Sequence, residues 1–130
     1  MFHILLALVL AASVTDCREA AQGVHLEKFG GLAKSLPKLP SPRRSPPPGS
    51  GIISFEITAE GRARSIDVEC QSSELTGNYL KGLISVTRFH TPTKMQRGIR
   101  HTVGLNVDVS EDANVKISVT DFPDSAVKNK

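Results

Sequence analysis

The residues of this 130-residue chain that could do chemistry are four histidines, two cysteines, a few serines and a scatter of arginines. A protein metal site needs three or four convergent ligands. His3 and His25 lie near the N-terminus, and His90 and His101 flank one polar loop with no Asp, Glu or Cys at ligand spacing beside them. Neither a metal nor another cofactor is expected. Ser65, Ser72, Ser73 and Ser85 have no base at hand to activate a hydroxyl, and there is no glycine loop of the phosphate-cradling kind. The chain therefore reads as a non-enzyme.

The thiols leave two readings. Cys70 alternates with Ile66 and Val68, which points it inward as a small buried hydrophobe. Alternatively it pairs with Cys17 in a disulfide that ties an N-terminal arm to the domain, as an exporting compartment permits. Arg62, Arg64, Arg88, Arg97 and Arg100 lie around Phe89 in sequence, a set that suits an acidic peptide and, less well, single-stranded nucleic acid. The plainer reading is a solvated rim. The net charge of +3 comes from the wrong place for a nucleic-acid binder. Six Lys or Arg oppose two Glu between Arg18 and Ser50, whereas seven oppose six acids between Gly51 and Val109. Nucleic acid is not an expected partner.

The elements that position these residues follow from periodicity. Residues 1–15 carry an apolar run from Ile4 to Val14, the length of an export signal's core and short for a membrane span. A cleaved signal, with a periplasmic or exported product, is the first reading. An uncleaved inner-membrane anchor is the second, and only then is a membrane involved. Asp16 before Cys17 disfavours lipid attachment. Residues 16–50 form an arm, with a marginal helix over 24–36 (Leu26, Phe29, Leu32, Leu36) weakened by Gly30-Gly31. A Pro-rich stretch beginning at Pro37 then reads as a semi-rigid polyproline spacer.

Residues 51–120 form the domain. Ile53, Phe55 and Ile57 alternate with polar residues, as does the run Ile66, Val68, Cys70, around a turn at Ala59–Arg62. Ser72-Ser73 cap a helix whose stripe is Leu75, Tyr79, Leu80, Leu83 and Ile84. Val103, Leu105, Val107 and Val109 mark a third strand. Val115, Ile117 and Val119 mark a fourth, with a disordered tail over 121–130. The predicted class is α+β: a small antiparallel sheet in β-β-α-β order, an extra C-terminal strand, and one helix on one face.

The ordered set Gly51-Ile-Ile-Ser-Phe-Glu-Ile, Glu60-Gly61-Arg62, Ile66-Asp67-Val68, Ser72-Ser73 and Arg88-Phe89-His90-Thr91-Pro92 resembles the C-terminal domain of TonB-type energy transducers over about 60 of 130 residues. The departures are Thr87 in place of an aromatic, Gly77 and Gly82 in the helix, a fourth strand, and a short spacer. The resemblance implies a module that takes an extended partner segment as an added strand beside its last strand. It therefore implies binding through Thr102, Val103, Leu105 and Val107 with Arg88 and Phe89 adjacent, or at 115–120 if the fourth strand covers that edge. The implied partner is a protein or peptide, such as a segment of an outer-membrane receptor, and homodimers by strand exchange fit the same plan. A membrane-anchored transducer and an envelope structural or inhibitor protein are the alternative readings.

Overall fold

The computed structural model describes residues 17–35, 48–111 and 115–122. The fold is α+β. A four-stranded antiparallel sheet is built from β2 (Gly49–Ile57), β3 (Ala63–Gln71), β5 (Arg100–Glu111) and β6 (Val115–Asp121), in the order β3-β2-β5-β6. Helix α3 (Glu74–Val86) packs on β2 and β3. Before the sheet come two single helical turns, α1 (Cys17–Ala20) and α2 (Phe29–Leu32), and the short strand β1 (Ala33–Ser35). β1 pairs with β4 (Arg88–Phe89) as a separate two-stranded ribbon. No described helix is long and apolar enough to cross a membrane.

Strict alternation in β2 explains why the sheet has two covered faces. Ile53, Phe55 and Ile57 join Leu80, Leu83, Ile84, Phe89, Val103, Leu105 and Val107 in the main core. Ile52 points the other way and packs with Cys17, Ala21 and Phe122 in a smaller cluster, with Leu26 and Cys70 against it. The hairpin between β2 and β3 closes through Thr58 N–H to the Arg62 carbonyl at 2.8 Å. Gly61 sits there at φ +81°, a left-handed conformation that glycine adopts without strain. Ser73 caps α3 by accepting from the Thr76 N–H at 3.1 Å.

Several sequence expectations need correction. Cys70 does not share a face with Val68. The register slips between the Ile52–Cys70 and Ile53–Val68 pairs, so one bulge sends Cys70 to the far face. Leu75 is 55 % exposed, and Thr76 takes its place in the buried stripe. The helix over 24–36 reduces to the turn at Phe29–Leu32, and β1 follows at once. The arm is not peripheral either. Glu27 bridges Val103, Phe29 lies in the main core, and Phe122 is buried in the second cluster. The packed unit thus takes in residues 17–35 and runs past residue 120 to Phe122. β1 and β2, which flank the Pro-rich stretch in sequence, both belong to this packed unit. Residues 36–47, the expected export signal within residues 1–16 and the tail from Pro123 lie outside the described residues.

Candidate functional site

A sheet binds an extended chain where a strand's outward N–H and C=O groups lack partners. β5 is not such a place. Its inner side pairs with β2 from Gly49–Val107 to Glu56–Arg100. Its outer side pairs with β6 from Leu105–Asp121 to Glu111–Val115. The remaining N-terminal part is met by the arm, where Glu27 N–H donates to the Thr102 carbonyl at 2.8 Å. Thr102, Val103, Leu105 and Val107 therefore belong to an interior strand, with Val103, Leu105 and Val107 buried. Strand addition at these four residues is closed off by the chain itself.

Phe89 is equally unavailable. It is 1 % exposed, and its ring lies 5.9 Å from Phe29 and 5.1 Å from Phe55. It fastens the loop to the core, and cannot serve as the aromatic centre of a surface patch. Arg88 remains exposed on β4, opposite Ser35. Two of the other arginines are engaged across the outer face of the sheet. Arg100 donates through Nη2 to Ser54 Oγ at 3.0 Å, the Ser65 carbonyl at 2.7 Å and Asp67 Oδ2 at 3.0 Å. Arg64 donates to Glu56 Oε1 through both Nε at 3.2 Å and Nη2 at 3.1 Å. This is a solvated ionic lattice, and it leaves these two arginines little freedom to seize an acidic ligand.

Two edges of the main sheet remain, and they differ in kind. On β3 the register breaks twice, Ser65 lies at φ +51°, and Arg64, Asp67 and Glu69 are exposed. Bulges and charges of this sort blunt an edge against pairing. β6 keeps an unbroken register with β5 over all seven of its residues. Ile117 and Val119 are half-buried against the main core, while Lys116, Ser118 and Thr120 are exposed. Among the described residues no strand lies on its far side. At about 3.4 Å per residue the edge is on the order of 24 Å long.

One contact was invisible from spacing. His101 donates through Nδ1 to Glu27 Oε2 at 2.7 Å, across 74 residues of chain. Beside this pair a cleft of about 200 Å³ is lined by Leu32, His90, Thr91, Pro92 and Gln96. Phe29 N–H donates to Asp121 Oδ1 at 2.8 Å, and Lys28 Nζ to the Phe122 carbonyl at 3.4 Å. The arm is thereby laced to both β5 and the end of β6. Cys17 and Cys70 form a disulfide, with Cα atoms 5.8 Å apart. Among the described residues no three His, Cys, Asp or Glu side chains converge as a metal site would require. Comparison with protein-family models, with curated proteins and with solved structures finds no match.

Proposed function

We propose that this chain is a non-enzymatic binding module that takes an extended segment of a partner protein or peptide as a fifth strand along β6. The observation that carries this reading is the asymmetry of the two edges. β3 is bulged and charged, whereas β6 is regular, half-apolar and guarded by Lys116 alone among its exposed residues. Backbone pairing supplies affinity in this mode, and the alternation of Ile117 and Val119 selects apolar side chains at every second ligand position. The resemblance to TonB-type domains supports the same mode, transferred from β5 to the strand that is last here. The energy-transducer alternative gains nothing from the fold, because the arm it needs as a spacer is packed into the domain.

The test uses ligands selected from a random peptide library on the folded chain, read by amide hydrogen exchange. In an antiparallel edge, alternate N–H groups point outward. A bound ligand is expected to slow exchange at every second amide of Val115–Asp121. Ser118→Pro and Val119→Pro divide the same way, since neighbouring N–H groups face opposite sides. One removes an outward donor and is expected to weaken binding about tenfold with the fold intact. The other removes a ladder bond to β5 and is expected to lower stability. Ligands that leave the amides of β6 unprotected would reject the assignment.

A further inference from the structure

The connection between β4 and β5 has a composition and a shape that the core does not explain. It opens with a capping box, in which Thr93 N–H donates to Gln96 Oε1 at 3.1 Å and the Thr93 side chain accepts from the Gln96 N–H, which also donates to the Thr93 carbonyl at 3.0 Å. Gly98 then turns the chain at φ +82°. This local hydrogen bonding holds the tip in one shape. Met95 is 91 % exposed and Ile99 49 % exposed, and neither lines the cleft beside His101.

The charges carried by this loop and by the turn at its base are one-sided, and the nearby Glu27 is bonded to His101. The β2–β3 turn packs on the base of the loop, where Phe89 N–H donates to the Gly61 carbonyl at 2.8 Å. Between Thr58 and Arg62 and between Arg88 and Ile99 the chain carries Arg62, Arg88, Lys94 and Arg97 against a single acid, Glu60. All four cations are exposed. The neighbouring Arg100 and Arg64 are neutralised by Glu56 and Asp67, so they add little to the field.

We infer that the loop Thr93–Ile99 docks the protein onto an anionic lipid surface, with Met95 and Ile99 entering the boundary between headgroups and acyl chains. An exposed apolar pair in a loop whose own charges are basic suits a deformable, negatively charged interface. An acidic protein partner would instead call for a concave apolar seat or bidentate arginine geometry, and the tip offers neither. Each basic residue at such a surface strengthens binding about fivefold, and salt screens the effect. The surface is distinct from the β6 edge. β6 pairs with β5 only from Leu105 onward, five residues beyond Arg100, which at strand rise is about 17 Å.

The chain contains no tryptophan, so Met95→Trp gives the full-length protein a single indole at the tip. That indole reports the loop itself, whatever the apolar run near the N-terminus does. On adding phosphatidylcholine vesicles containing phosphatidylglycerol, its emission is expected to shift to the blue, and added salt is expected to reverse the shift. Pure phosphatidylcholine is expected to give little change. Lys94→Glu with Arg97→Glu in the same background is expected to reduce partitioning about tenfold or more. Ile99→Asp is expected to abolish the shift while thermal stability is retained. An indole that stays at its aqueous wavelength with anionic vesicles overturns the inference. So does a shift that is indifferent to vesicle charge, or one produced by polyglutamate and not by vesicles, which would assign the loop to an acidic protein.

Discussion

Gly104 is the residue on which the two faces of the sheet depend. It lies opposite Ile52 in the β2–β5 register. A Cβ built there would stand 2.5 Å from the Phe122 ring and 2.9 Å from Leu26. Its value is the absence of a side chain, which lets the ring of Phe122 pack close against the strand, and Phe122 N–H donates to the Gly104 carbonyl at 2.9 Å. Gly104→Val retains the β propensity of the strand, yet overfilling of this kind costs about 1–3 kcal/mol. A fall in the thermal midpoint, with faster proteolysis of the arm around Leu26, is the expected result. In the sequence Gly104 is only the position between Val103 and Leu105 in an alternating strand. Leu26 and Phe122 are far from it in the chain, and no periodicity connects the three. His101 was equally opaque, since its partner Glu27 comes from a segment of the arm that reads as a marginal helix.

At the scale of elements, alternation made β2, β3, β5 and β6 legible because each half-buried strand writes its buried face directly into the sequence. What alternation could not convey was where the count slips. The bulge in β3 inverts Cys70 relative to Val68, and one extra residue leaves no compositional trace. Helix α3 was legible through its cap. Its glycines lower intrinsic propensity, so the cap and the packed stripe carry the helix. Ser73→Ala removes the acceptor for the Thr76 N–H and also a 3.0 Å contact between the Ser73 and Thr76 hydroxyls. A loss of about 1 kcal/mol is expected, seen as a midpoint lowered by roughly 4–8 °C in a domain of this size. The short arm elements were misread for the opposite reason. Their helical spacing is real, but tertiary pairing of β1 with β4 overrides it.

At the scale of the molecule, the fold is a sheet clasped by the arm Cys17–Ser35, and the candidate site is the regular edge left uncovered among the described residues. The disulfide between Cys17 and Cys70 closes 53 residues of sequence separation. Chain-entropy reasoning assigns such a bridge about 4 kcal/mol at most, and measured values fall more often at 2–4. Cys17→Ser with Cys70→Ser is therefore expected to shift chemical denaturation to lower midpoint. The β6 edge should stay as it is, because its ladder to β5 lies elsewhere. Ligand binding at β6 that survives in the double variant at denaturant-free conditions would separate the role of the clasp from that of the edge.

The same bridge has a topological consequence. Residues 17–70 form a covalent ring, and the whole Pro-rich connection with Arg43 and Arg44 lies within it. A single peptide-bond cleavage anywhere between Ser35 and Gly49 would open the backbone without releasing either piece. The nicked molecule would become two chains joined through sulfur, each still contributing strands to the same core. It would remain one covalent molecule, heavier by one water, until a reductant divided it.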